Sequence, residues 1–173
     1  MGPAINFLPE DHPGVVQTVD WLNTTGTAYR RDVFVRFWFD ENVMYPLEDL
    51  HLSARVGRSF RLMNTSRARL FHNDMGRSTK SRNWKRIGEG MILSRHSVAA
   101  HVLERRGLRL CLPLFGYELG YATAAMLWNG GRRPELGQVF AVLSGKLKGA
   151  VRIIVGRTLP RPNLGTTVLS HQS

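Results

Sequence analysis

WLNTTGTAYRRDVF (21–34), FDENVMYPLEDLHLSAR (39–55) and ARLFHN (68–73) are three punctuated blocks in which charged groups sit beside apolar runs. They set the element plan of the first half. Residues 15–22 are short and apolar enough for a buried strand, and 23–27, centred on Gly26, form a turn. Residues 29–37 follow as a short helix or an extended segment, and 40–42 break the chain again. Pro46 followed by Leu47-Glu48-Asp49 predicts a helix start, because proline fits an opening turn and the helix dipole favours carboxylates there. Residues 50–56 are the helix body, stopped at Gly57. Residues 60–63 and 68–71 are expected as two short strands around the Asn64-Thr65-Ser66 turn. The polar stretch 73–83 reads as a loop.

The order of these landmarks resembles the acceptor half of a family 2 glycosyltransferase. In that family W-L-x-G-x-x-x-x-Y-R-R-E precedes F-D-E-x-x-x-x-Y-x-x-E-D-x-D-x-S-x-R, and an A-x-L-x-H element follows. The matching positions are Trp21-Leu22, Tyr29-Arg30-Arg31-Asp32, Phe39-Asp40-Glu41, Tyr45, Glu48-Asp49, Ser53, Arg55 and Ala68-Arg69-Leu70-Phe71-His72. The resemblance covers about the first half of the chain and rests on order and spacing together, since short motifs match singly by chance. It departs at His51, where the family commonly carries a second acid. It implies an α/β chain: a partial GT-A domain, the nucleotide-diphospho-sugar transferase fold, followed by membrane-associated helices. Family members usually begin with a parallel-strand, nucleotide-binding half that ends in an Asp-x-Asp pair holding a divalent cation. No Asp-x-Asp occurs between Met1 and Ser173, so the chain reads as the C-terminal, acceptor-side portion, working with a separate donor-binding half.

Inverting glycosyl transfer needs a carboxylate that takes the acceptor hydroxyl's proton while that oxygen attacks the anomeric carbon. It also needs a cation to stabilise the departing diphosphate. The resemblance makes Asp49 the base, with Glu48 beside it, and a helix start favours a charged carboxylate. Acids in that place also serve as plain helix caps; Tyr45 before them, and Ser53 and Arg55 after them at family spacing, favour the base. His72 matches the family's strand-end histidine, which completes the metal site or touches the diphosphate, and neutral imidazole suits a divalent cation such as Mg or Mn. A lone histidine at a strand end is equally a structural hydrogen-bonding group. Arg30 and Arg31 either cradle phosphate through paired hydrogen bonds or are surface arginines flanking a buried Tyr29. Arg77, Lys80 and Arg82 follow His72 on a loop where family members close over the diphosphate, with a solvated or lipid-facing loop as the alternative. Trp21 is core or a wall of the acceptor pocket, and Tyr29 and Arg55 complete the expected substrate contacts.

With 173 residues, 43% hydrophobic and 9% aromatic, the chain is long enough for one domain with a real core, which excludes disordered and collagen-like classes. Cys111 is the only cysteine, so an intrachain disulfide and a cysteine-built zinc site are excluded, and nothing points to an oxidising compartment. Charge divides the chain. Residues 1–75 carry 8 Lys+Arg against 9 Asp+Glu, net −1, whereas 76–173 carry 16 against 4, net +12. A one-sided basic segment usually meets a polyanion, either nucleic acid or anionic lipid.

The apolar content of that segment favours lipid. Residues 87–104 fit one helix. Residues 108–128 are an apolar run interrupted by Arg109, Pro113 and Glu118, a marginal membrane span, in which Gly116, Gly120 and Ala124 recur as a close-packing face. Residues 136–155 place apolar side chains among Lys146, Lys148 and Arg152, as a basic helix in a membrane interface would. The expected organisation is an irregular leader (1–14), the acceptor-side half (15–86), a basic membrane-associated helical region (87–156) and a polar tail (157–173). The implied partners are a nucleotide-diphosphate sugar donor, a lipid-linked or polysaccharide acceptor and the cytoplasmic face of the cell membrane, met peripherally or with one marginal span. No nucleic acid is expected, because aromatic residues do not interleave with the basic ones as a stacking surface needs. The rival from another class is a noncatalytic basic component of a membrane or ribonucleoprotein assembly.

Overall fold

A computed structural model describes residues 16–23, 26–43, 47–65, 67, 83–121, 123–124 and 135–162. The described chain is mostly helical with one small sheet. Its elements are β1 (Val16–Thr18), α1 (Arg31–Arg36), α2 (Glu48–Val56), β2 (Met63–Thr65), α3 (Trp84–Ser97), a π-helical turn (Val98–Val102), α4 (Leu108–Phe115), a second π-helical turn (Gly116–Tyr121) and α5 (Leu136–Ile154). Strands β1 and β2 pair antiparallel, with Val16 opposite Thr65 and Thr18 opposite Met63. The Val19 N–H donates to the Leu62 carbonyl at 3.0 Å and carries the pairing one step further.

Helix α2 organises the first half because it is apolar on two opposite faces. Leu50 and Ala54 join a core with Ile92 and Leu93 of α3, Leu110 and Leu114 of α4, and Ala150 and Ile153 of α5. Leu52 and Val56, half a turn round, join a second core with Val33, Phe37 and Leu62. A helix covered on every side is a buried core helix, and all seven residues from Leu50 to Val56 are buried. Its polar members must therefore find partners inside the protein.

Helix α3 starts at Trp84, where the Asn83 side chain accepts from the Arg86 N–H at 3.0 Å and satisfies a first-turn donor. The expected helix over 87–104 is thus continuous from Trp84 to Val102, its last turn π-helical. Close packing occurs at glycines other than those the sequence suggested. Added Cβ atoms at Gly116 or Gly120 would meet nothing within 4 Å, and Ala124 is exposed. Gly88 of α3 and Gly145 and Gly149 of α5 instead let two backbones touch, since a Cβ on Gly88 would stand 2.1 Å from the Val142 carbonyl oxygen.

Within the expected run, residues 108–121 form an eight-residue helix containing Pro113 and the π-helical turn through Tyr121. A proline inside a helix removes a donor and crowds the preceding turn. Among the described residues, no helix is long and apolar enough to cross a membrane. Helix α5 carries two apolar faces. Val139, Val142, Ala150 and Ile153 are buried, whereas Leu136, Phe140, Leu147, Val151 and Ile154 recur at helical spacing and are exposed, Phe140 by 68%.

Candidate functional site

The family-like residues gather around the first turns of α2. Leu47, the residue before the helix, sits at φ 88, a left-handed backbone that a branched side chain adopts only at a cost of about 1–3 kcal/mol. It delivers Glu48 and Asp49 as the opening acids. Asp49 Oδ1 accepts the Leu50 N–H at 2.7 Å, so this carboxylate caps its own helix with one oxygen. Glu48 Oε2 is buried without a hydrogen-bond partner, a costly state for a carboxylate oxygen.

One turn further along α2, Ser53 clamps the Trp21-Leu22 block to the helix. Its Oγ accepts the Leu22 N–H at 3.0 Å and donates to the Leu22 carbonyl at 3.1 Å. Trp21 and Leu47 both pack against the larger core. Tyr29 lies in the same neighbourhood: burial pushes its hydroxyl's pKa up, the Ser53 hydroxyl opposes that, and the charge of Asp49 adds to the rise. The Tyr29 phenol and the Asp49 carboxylate thus lie close enough to interact near the head of α2.

Other expected residues have different surroundings. Arg55 is only 2% exposed; its Nη2 donates to the Trp38 carbonyl and its Nε to the His51 carbonyl at 3.4 Å. Burial lowers its pKa and the nearby Asp40 charge opposes the fall. This guanidinium ties the Phe39-Asp40 block to α2 instead of presenting itself to solvent. Arg30 forms a two-point ion pair with Asp32, Nε to Oδ1 at 3.1 Å and Nη2 to Oδ2 at 2.9 Å, and both side chains are exposed. Arg31, the first residue of α1, is also exposed. Tyr45, His72, Arg77, Lys80 and Arg82 lie outside the described residues. Among the described residues no group of three His, Cys, Asp or Glu side chains could hold a metal ion.

His51 occupies the position where the family carries an acid. Its Nε2 lies 3.2 Å from Ser97 Oγ on α3, so the ring joins two core helices. Burial first, then Arg55, lowers its pKa to about 4. Burial disfavours a charged ring between the helices and the Arg55 cation adds to that, which accounts for an imidazole that stays neutral.

Two internal ion clusters were not apparent in the sequence. Glu118, 1% exposed, lies 2.6 Å from Arg95 Nε and 2.8 Å from Lys146 Nζ. The same ammonium, 0% exposed, donates to the Glu118 carbonyl at 2.8 Å. Glu89 accepts from Lys148 and Arg152, each at 2.8 Å; burial works against its ionised form, but those two bonds outweigh it and its pKa falls. The available signal was the rarity of acids in the basic half, where residues 76–173 hold only Glu89, Glu104, Glu118 and Glu135, two of them inside apolar runs.

No protein-family model, curated protein or solved structure matches this chain.

Proposed function

We propose that the chain is the acceptor-side portion of an inverting family 2 glycosyltransferase of GT-A type. It would transfer a hexose or related sugar from a nucleotide-diphosphate donor to a lipid-linked or polysaccharide acceptor. Asp49 accepts the proton of the acceptor hydroxyl as the new oxygen–carbon bond forms, the bond from anomeric carbon to diphosphate breaks, and the sugar inverts. The complete enzyme would use a divalent cation, Mg or Mn, to stabilise the departing diphosphate, and His72 and Arg77 are the residues that the resemblance assigns to that side. The observation that carries the reading is convergence: Leu22 is bonded to Ser53, Tyr29 feels the charge of Asp49, and Asp40 and Trp38 meet Arg55, all on α2. Motif blocks far apart in sequence therefore share one helix, as a common site requires.

The test is sugar transfer by the chain joined to a donor-binding half of a family 2 enzyme, with radiolabelled nucleotide sugars and membrane lipid extract. Asp49→Asn is expected to lower turnover by roughly 10²–10⁴, with an unchanged unfolding transition. Turnover retained in that variant would sink the assignment.

The second reading, a noncatalytic basic component of a membrane or ribonucleoprotein assembly, is favoured by the net +12 of residues 76–173. The exposed apolar stripe of α5 supports membrane-surface contact in either reading. Liposome flotation against RNA retention at physiological salt separates the two forms of the second reading, and indifference of both to Asp49→Asn is what it requires.

A further inference from the structure

The segment joining α3 to α4 shapes a cleft of about 670 Å³ lined by His101, Glu104, Arg105, Arg106, Leu110 and Arg161. Its volume falls within the range of small-ligand sites, about 300–1,000 Å³. Three arginines line it, from two parts of the chain that are far apart in sequence. The one acid on its wall, Glu104, is held at φ 55 with its carboxylate 3.9 Å from Arg58, outside the lining. His101 Nε2 is buried there without a hydrogen-bond partner. Burial, then Arg161, lowers the pKa of that ring against the opposing pull of the Leu159 backbone. Leu108 and Leu112, one turn apart on α4, are 73% and 65% exposed.

We infer that this cleft binds a phosphate ester, held by Arg105, Arg106 and Arg161. Guanidiniums suit the group because their planar forks match phosphate oxygens with short, charge-assisted bonds. The exposed Leu108 and Leu112 suit the tail of an amphiphile, so a phospholipid headgroup is the source that this surface fits. The site is separate from the head of α2 and does not depend on the transferase reading.

The test uses the full chain and two probes. One is inorganic pyrophosphate, titrated calorimetrically; the other is flotation with vesicles of phosphatidylcholine alone or doped with phosphatidic acid. The triple variant Arg105→Gln, Arg106→Gln, Arg161→Gln is compared with a charge-matched control, Arg67→Gln, Lys85→Gln, Arg86→Gln, whose residues are exposed elsewhere, and circular dichroism verifies that both fold. Recruitment to doped vesicles that falls roughly tenfold or more in the triple variant and little in the control is the expected result. Saturable pyrophosphate binding without vesicle recruitment, lost in the same variant, supports the site with a soluble phosphate ester as its ligand. Equal losses in the two variants would reduce the effect to diffuse charge and overturn the inference, as would binding of neither probe. RNA retention that neither probe competes away would overturn it too.

Discussion

Gly145→Ala tests the seam on which the helical half is built. A Cβ there would lie 1.9 Å from the Lys85 carbonyl oxygen, 2.8 Å from its carbon and 2.9 Å from the Glu89 nitrogen, where ordinary contact begins at 3.4 Å. The obstacle is backbone on the facing helix, so no rotamer change relieves it, and α3 and α5 must part by about 1.5 Å. Parting them loosens the packing of Ile92, Val142 and Ala150 and stretches the 2.8 Å bonds from Lys148 and Arg152 to Glu89. Overpacking of this kind costs about 1–3 kcal/mol and occasionally more, and a rigid obstacle puts it at or above the upper end. The helix-propensity gain of alanine over glycine returns about 1 kcal/mol, which leaves a net loss of about 2–3 kcal/mol. At roughly 2–4 °C per kcal/mol for a domain of this size, the Tm falls by about 5–10 °C. Gly137→Ala is the control on the same helix: nothing lies within 4 Å of its Cβ, so it gains about 0.5–1 kcal/mol. Urea unfolding followed by circular dichroism measures both. A Gly145→Ala transition within about 0.5 kcal/mol of wild type, at the level of ordinary surface substitutions, would refute the seam.

Glu118→Gln strands the Lys146 ammonium in the interior and is expected to cost about 3–5 kcal/mol in urea unfolding; adding Lys146→Met should recover part of that, and a neutral single variant would refute the cluster. His51 has its folded pKa lowered to about 4, below its ordinary 6.5, so the fold prefers the neutral ring. Its contribution is complete above pH 6.5 and is lost as pH falls towards 4, by about 3 kcal/mol. His51→Gln should flatten that part of the stability profile, while burial of His96 and His101, both shifted the same way, leaves a residual slope; an unchanged profile would count against it. Arg55→Ala removes hydrogen bonds from a buried charge to the Trp38 and His51 carbonyls and should lower stability by about 3 kcal/mol, read as a shift in the urea midpoint; a change confined to acceptor affinity would contradict the structural role.

The parts legible in the sequence were those whose cause is local. Helix α2 was marked by Pro46, the two opening acids and the stop at Gly57, and α5 by a long apolar period with interspersed bases. Strand β1 was legible as an apolar run, yet only three of its residues pair, because its partner is the short Met63–Thr65 segment. What could not be read depends on tertiary neighbours. The double burial of α2 turns Ser53, His51 and Arg55 from apparent surface or substrate groups into internal ties. Likewise Gly116 and Gly120 carry the spacing of a packing motif, but among the described residues no element packs against them. Gly88 and Gly145 have one, and spacing within a single helix cannot report what faces it.

The net charge of the second half has the same lesson in electrostatic form. A count of +12 over residues 76–173 suggests a broad polyanion surface, but Arg95 and Lys146 are committed to Glu118 in the interior, and Lys148 and Arg152 are paired with the buried Glu89. Each buried acid holds two bases, so each cluster keeps a net positive charge, and isolating the Glu118 cluster from water is tolerable only because every charge has a near partner. Those bases lock α5 to α3 and to the turn after α4, and the buried Arg95 and Lys146 contribute little to attraction at the surface. Arg105, Arg106 and Arg161 instead gather at one cleft. Binding should therefore be lost by removing three charges at that cleft and kept when three are removed elsewhere, an asymmetry that net charge alone cannot produce.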